Sequence, residues 1–263
     1  MAAAQRRALI TGGASGFGLA IARALKREGA NVAIFDRSAR ALETASRELG
    51  GDALAVRGDV TCASDVRTAV DRCIEIFGGL DTLVISAGVI HIKELQDVTE
   101  ADWDSTLDVN LKGAFLSAQA AAPALRASGR GRIVSIGSDA SKRGFAGILA
   151  YSASKFGLVG LTHSLAAELA ADRVTVNCVC PVGCPTTGMG RQVADWKSAH
   201  AGLTPDQVAA AAARAIPLGR NATEDDVAGT VMFLISDAAS FITGVALDVD
   251  GGAHVGFLPG TAA

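Results

Sequence analysis

Tyr151 is the only tyrosine in the chain, and Lys155 follows it by four residues, at the start of a helical run from Ala153 to Leu169. On a helix, side chains at that spacing share a face. A phenol with an ordinary pKa near ~10 is a poor base at neutral pH, but a neighbouring ammonium stabilises the phenolate and lowers that value. The pair is then expected to trade a proton with a substrate hydroxyl. Ser138, at the end of an apolar run, is placed to hold the substrate oxygen at the same carboxyl edge of the sheet. Alone, a Tyr and Lys at helical spacing are more often a surface pair. Beside a dinucleotide site the catalytic role is favoured.

Such a site is written near the start of the chain. After the run Ala8 to Ile10 come Thr11, Gly12, Gly13, Ala14, Ser15, Gly16, Phe17 and Gly18, then a helical run from Leu19 to Glu28. Glycines at 12, 16 and 18 allow a tight turn, a close backbone approach to a pyrophosphate, and close packing of helix on strand. The helix start offers free N–H groups and positive dipole to the phosphates. A glycine cluster alone is weak evidence; its place between the first strand and a helix is what favours function over packing.

The second apolar run ends at Phe35 and Asp36. A carboxylate there accepts hydrogen bonds from both ribose hydroxyls of NAD and repels a 2′-phosphate, so NAD is preferred. Ser15, in place of a basic residue, points the same way. Arg37 follows directly and could bind that phosphate if Asp36 turned away, which keeps NADP as the less favoured cofactor. Asp59 and Val60 are placed to meet the adenine. Ser86, Ala87 and Gly88 form a small-residue turn where a cofactor could press against the backbone, although an ordinary strand-to-loop turn fits equally well.

These residues need a scaffold that brings strand ends together. Further strand-like runs come at Ala53 to Val56, Thr82 to Ile85, Ile133 to Ile136, Val174 to Val179 and Val245 to Val249. Most are wholly apolar rather than alternating, which predicts helices on both faces. Together with amphipathic stretches between the runs, this predicts a doubly wound parallel α/β sheet of about seven strands in a three-layer sandwich. Thr99 with Asp102 and Thr223 with Asp226 read as helix-start capping boxes, and Gly29, Gly78 and Gly129 as helix stops. Residues 182–216 break the pattern and read as a substrate lid within one domain spanning 1–263.

Composition narrows the classes. Of 263 residues, 49% are hydrophobic and 19% charged, enough apolar material for a large core and against disorder. A net charge of -3, with no run of Lys and Arg, excludes nucleic acid as an expected partner. Met1 to Arg7 lacks the apolar stretch of a secretory signal, and no apolar run reaches membrane-spanning length, so no membrane partner and a cytoplasmic location are expected. Five cysteines fit reduced thiols better than a disulfide framework. Cys178, Cys180 and Cys184 are close in sequence, but with no His beside them they read as buried small hydrophobes, and no metal is expected. His163 and Glu168 read as packing or interface residues.

Taken jointly, the chain resembles the short-chain dehydrogenase/reductase family over nearly its whole length. The resemblance rests on Thr11-Gly12-x-x-x-Gly16-x-Gly18, Asp59-Val60, Asn110 after Val109, Ser138, Tyr151-x-x-x-Lys155, Asn177 with Pro181, and Asp250-Gly251-Gly252. It implies a Rossmann-like fold with Tyr151 as general acid/base. Lys155 would bind the nicotinamide ribose and lower the tyrosine pKa, Ser138 would orient the substrate oxygen, and Asn110 would hold a water in a proton relay. Thr186 falls at the family's carboxamide-binding threonine, on the loop that begins at Pro181 and covers the nicotinamide. Two departures stand out. Ile85-Ser86-Ala87-Gly88 replaces the usual Asn-Asn-Ala-Gly, losing both amides, and Pro181-Val182-Gly183 replaces Pro-Gly.

The expected activity is NAD-dependent interconversion of a secondary alcohol and a ketone, the alcohol being a polyol, sugar or similar polar molecule. Reduction of a 3-oxoacyl thioester is the alternative within the enzyme class, and Asp36 speaks against it. A non-catalytic nucleotide-sensing protein on the same fold is the alternative outside it. Arg143, Phe145, His91, Gly183 and Trp196 are the expected substrate-lining groups. The resemblance also implies a homotetramer, with helices around Asn110 and Tyr151 packing across a twofold axis.

Overall fold

The computed structural model describes residues 5–255. The Met1–Ala4 part of the segment weighed above as a signal lies outside them. The apolar runs form β1 (Arg7–Thr11), β2 (Asn31–Asp36), β3 (Leu54–Arg57), β4 (Thr82–Ile85), β5 (Arg132–Ile136), β6 (Thr175–Pro181) and β7 (Ala246–Val249). Among the described residues they make one sheet in the order β3-β2-β1-β4-β5-β6-β7. All its pairings are parallel. The chain winds outward from β1 on one side and from β4 on the other. Connections from the carboxyl ends of these two strands therefore diverge and leave a crevice between them.

Helices α1 (Gly16–Arg27), α2 (Ala39–Glu48), α3 (Ala63–Phe77), α4 (Glu100–Leu107), α5 (Gly113–Ala127) and α6 (Leu149–Leu169) link the strands. After β6 come α7 (Gly188–Ala201), α8 (Pro205–Arg214) and α9 (Glu224–Ile235). Successive strand residues point to opposite faces, so each face builds its own core. Ile10, Ile34 and Val134 pack with Leu25 of α1 and Val231 of α9. Leu9, Phe35 and Ile133 pack on the other face with Val70 of α3, Leu125 of α5 and Leu158 of α6. Cys178 and Cys180 belong to this second core and are fully buried, as small apolar side chains would be.

The capping boxes at Thr99/Asp102 and Thr223/Asp226 form. A third, Thr204 with Gln207 and Pro205 in the first turn, starts α8. Helix α6 begins at Leu149, earlier than the sequence suggests, so Tyr151 and Lys155 both lie on regular helix and share one face. Residues 182–216 carry α7 and α8 and wall the cleft described below. Among the described residues, no helix is long and apolar enough to cross a membrane.

Candidate active site

The first turn shows three uses of glycine. Gly12 has φ +63°, donates its N–H to the Phe35 carbonyl at 2.8 Å, and would place a Cβ 2.7 Å from the Ala87 Cα. At Gly18 a Cβ would lie 2.2 Å from the Gly12 carbonyl oxygen, so α1 packs against its own entry turn. Gly16 has φ +50°, and a Cβ there would meet only Thr187, at 3.9 Å. Ser15 precedes α1 with no side-chain cap, leaving the first N–H groups of the helix for another acceptor. An open surface over uncapped N–H groups fits a pyrophosphate.

Gly12, Ser15, Gly16 and Phe17 line one end of a cleft of about 960 Å³. Gly18 lies behind the turn and acts through packing. Asp36 and Arg37 line the same cleft, with Asp36 half-buried and Arg37 exposed. One Asp36 carboxylate oxygen accepts the Ser38 N–H at 3.0 Å. Asp59 and Val60 follow along the wall. The Asp59 carboxylate braces its own turn, accepting both the N–H and the hydroxyl of Thr61 at 2.8 Å. Val60 packs against Gly113, where a Cβ would be 2.9 Å from it. At Ser86-Ala87, the Thr11 hydroxyl accepts both main-chain N–H groups, at 3.2 and 3.3 Å. These two bonds tie the turn after β4 to the end of β1.

Tyr151, Lys155 and Ser138 converge at the middle of the cleft, all buried. The Lys155 ammonium donates to the Ile136 carbonyl at 2.7 Å and lies 5.5 Å from the centroid of the Tyr151 ring. The expected lowering of the tyrosine pKa does not appear in the free protein. Burial pushes the phenol up to about 12, with the charge of Asp139 adding to this and the Ser138 hydroxyl opposing it. Burial also pushes the Lys155 ammonium down, to about 8. The reason is desolvation of both groups, together with a lysine hydrogen bond directed at a strand end rather than at the phenol oxygen.

Ser138 lies two residues beyond β5, at the start of a short 3-10 turn. Its hydroxyl donates to the Asp139 carboxylate at 2.9 Å and accepts the Ala140 N–H at 3.1 Å. Asn110 sits in a π-helical turn, Asp108–Lys112, between α4 and α5. Its amide nitrogen donates to the Val89 carbonyl and the Ser154 hydroxyl, both at 3.0 Å, and its oxygen accepts the Val89 N–H at 2.8 Å. A side chain so engaged anchors the backbone after β4 and has one acceptor position left. The π turn also changes which main-chain carbonyls are paired, a common feature near functional sites.

Pro181, Gly183 and Thr186 line the cleft from the segment after β6. The Thr186 hydroxyl donates to the Glu224 carboxylate at 2.7 Å, and the Cys184 thiol lies 3.2 Å from that hydroxyl. Burial opposes ionisation of Glu224, but hydrogen bonds from Thr186 and Cys184 and the charge of Arg23 outweigh it and hold its pKa low. Arg143, Phe145 and Trp196 line the far end. His91 does not: its ring bonds the Thr106 hydroxyl of α4 at 3.0 Å, away from the cleft. Thr106 is fully buried and holds the ring there.

Asp139, Glu224 and Thr187 also line the cleft and are not among the residues expected from the sequence. Asp139 was adjacent to Ser138 and in that sense visible. Glu224 reaches Thr186 across 38 positions, a separation that leaves no local signal.

A family model described as enoyl-(acyl carrier protein) reductase matches residues 12–254. D-threitol dehydrogenase of Mycolicibacterium smegmatis is 40% identical over 248 residues, covering 93% of this chain and 91% of that protein. 2-(S)-hydroxypropyl-CoM dehydrogenase 3 of Xanthobacter autotrophicus is 38% identical over 246 residues, covering 92% and 94%. Among solved structures, actinorhodin polyketide ketoreductase with NADPH superposes with a TM-score of 0.91 at 33% identity, covering 96% of this chain and 98% of that one.

Proposed function

The chain belongs to the short-chain dehydrogenase/reductase family, and from that premise we propose that it interconverts a secondary alcohol and a ketone using NAD. The observation carrying this is the convergence of buried Tyr151, Lys155 and Ser138 on the cleft that the Gly12–Gly18 turn opens into. The dinucleotide, when bound, supplies the acceptor or donor of a hydride. Gly12, Ser15, Gly16 and Phe17 would hold its pyrophosphate, with Gly18 packing the helix start against the turn behind them, Asp36 and Arg37 the adenosine ribose, and Asp59 and Val60 the adenine. Ala87, Gly88, Lys155, Pro181, Gly183 and Thr186 would hold the nicotinamide half, with the 182–216 segment as lid.

Tyr151 takes or gives the substrate hydroxyl proton at its phenol oxygen. At neutral pH the phenol of the free protein is protonated, since burial keeps its pKa near 12. Positive charge entering the cleft beside it would favour the phenolate. Ser138 holds the reacting oxygen. Asn110, through the π turn, keeps the strand end and α6 in register and contributes the main-chain acceptor for a relay water.

Similarity to D-threitol dehydrogenase favours a polyol or similar polar alcohol. The carboxylate of Asp36 at the strand end favours NAD over NADP, whereas the ketoreductase solved with NADPH keeps the other cofactor as the second reading. The chain is proposed to work as a homotetramer in the cytoplasm, where its free cysteines stay reduced. The test follows nicotinamide absorbance with NAD and NADP against threitol and other polyols, simple secondary alcohols and 3-oxoacyl thioesters. Fastest turnover of a polyol with NAD supports the proposal. Turnover confined to a thioester with NADPH overturns it.

A further inference from the structure

The amino edge of the sheet, opposite the cleft, carries a charged cluster of its own. Arg7 opens β1, Arg132 opens β5, and Asp81 immediately precedes β4. Arg6 and Arg130 stand beside them, and Asp237 reaches in from the 3-10 turn after α9, Asp237–Ala239. Four guanidinium groups thus meet two carboxylates, an excess of two positive charges. Asp81 is fully buried and fully engaged. It accepts the Arg7 N–H at 3.2 Å, Arg7 Nε at 3.1 Å, Arg130 Nη2 at 3.0 Å and the Thr82 hydroxyl at 3.1 Å, while Arg6 stays 3.8 Å away.

Arg6 and Arg132 therefore depend on Asp237. One Asp237 oxygen accepts from Arg6 Nη2 at 3.2 Å and lies 3.8 Å from Arg132 Nη2, beyond hydrogen-bond distance. The Arg132 side chain is only 5% exposed. Its Nη1 donates to the Gly131 carbonyl at 3.0 Å, but its Nε is buried with no hydrogen-bond partner among the described residues. The Nε–H and Nη2–H bonds share one edge of a guanidinium, the edge that takes a carboxylate or phosphate bidentately. On Arg132 that edge is unfilled, and a buried charged donor without a partner is costly. Burial, with the charge of Arg130 adding to it, pulls the pKa of both Arg6 and Arg132 below the ordinary value. Asp237 is 84% exposed, and an exposed ion pair contributes little, so an incoming anion displaces it at small cost. Its oxygen also marks where an oxyanion oxygen fits between the two arginines.

We propose that this edge is an oxyanion site: a phosphate group, free or as a phosphomonoester, binds between Arg6 and Arg132 in the place of the Asp237 carboxylate. One oxygen would take the position that Asp237 now holds, and a second would pair with the unfilled edge of Arg132. The site is separate from the cleft. Arg132 starts the strand whose last residue, Ile136, accepts the Lys155 ammonium, so the two lie at opposite ends of β5 and the proposal does not rest on the proposed reaction.

The test is calorimetric titration of the protein, without cofactor, by inorganic phosphate and separately by glycerol phosphate, against sodium chloride of matched ionic strength. Arg6→Gln and Arg132→Gln are expected to weaken binding at least about tenfold, since each removes a charge-assisted donor. Asp237→Asn removes the competing carboxylate and is expected to tighten binding about threefold or more. A merely structural ion-pair network would not give opposite signs from the two sides of one pair. Binding of either probe with this pattern supports the proposal, and the tighter probe names the source. The glycine turn of the cleft also attracts phosphate, so Gly16→Ala serves as the contrast. Binding that survives both arginine variants but is lost in Gly16→Ala belongs to the cleft and overturns the proposal, as does an absence of binding in both wild type and Asp237→Asn. Should the Arg132 variant not fold, Arg6→Gln and Asp237→Asn decide by the same opposite shifts, and equal affinity in the two overturns it.

Discussion

The Lys155 ammonium lies 5.5 Å from the Tyr151 ring centroid, while its hydrogen bond runs to the Ile136 carbonyl. In the free protein, then, the lysine braces the end of β5 and leaves the phenol protonated. The two groups are perturbed in opposite directions by the same cause, removal from water. This makes the pair ready to change state when charge enters the cleft, and it gives the free protein a distinctive pH dependence.

Lys155 has a folded pKa of about 8, below its ordinary 10.5. Between these values the unfolded chain binds more protons than the folded one, so stability rises with pH across that window, by roughly 3 kcal/mol from this group. Tyr151 acts in the other sense, because its pKa is raised from 10.0 to about 12. Above pH 10 the folded state holds the extra proton and stability falls. Urea unfolding at a series of pH values should show the rise in wild type, and the rise should be missing in Lys155→Met. A wild-type curve parallel to that of the variant would refute it.

Gly16 and Gly18 should fail in different ways when replaced by alanine. At Gly18 the new methyl group meets the Gly12 carbonyl oxygen at 2.2 Å, and displaced backbone should cost about 1–3 kcal/mol of stability. At Gly16 the space is open but φ is +50°. The strain there should be about 1 kcal/mol, and the larger effect should be on dinucleotide affinity. Thermal unfolding and nicotinamide fluorescence titrations of the two variants separate the cases.

Asp36→Ser should weaken NAD and admit NADP, because it removes the carboxylate that repels a 2′-phosphate and leaves Arg37 beside the site. The ratio of kcat/KM values for the two cofactors should shift toward NADP by at least about tenfold. An unchanged ratio would mean that Asp36 does not face the ribose.

Glu224→Gln should loosen the segment after β6. The Thr186 hydroxyl loses a charged acceptor at 2.7 Å, and charge-assisted hydrogen bonds are about twice as strong as neutral ones. Cofactor KM is expected to change with unfolding stability nearly constant. Hydrogen exchange at residues 182–187 should speed up in the variant.

The fold was largely legible because both of its signals are local. Apolar runs such as Ile133 to Ile136 mark doubly covered strands, and pairs such as Thr223 with Asp226 mark helix starts. The glycine turn and the Tyr151–Lys155 spacing were legible for the same reason. Tertiary choices were not. His91 turns to Thr106 instead of the cleft, Thr186 is taken up by Glu224, and Asn110 lies in a π turn that no residue type announces. The sign of the Tyr151 shift depends on burial depth and on where one lysine directs its hydrogen bond, neither of which spacing reveals.

The most direct measurement is turnover by Tyr151→Phe alongside dinucleotide binding by the same preparation. A hydroxyl that gives and takes the proton is worth about 10²–10⁴ in rate, so activity should fall by that much while the nicotinamide fluorescence titration stays close to wild type. Full turnover in the phenylalanine variant would contradict the assignment of Tyr151 as the acid/base.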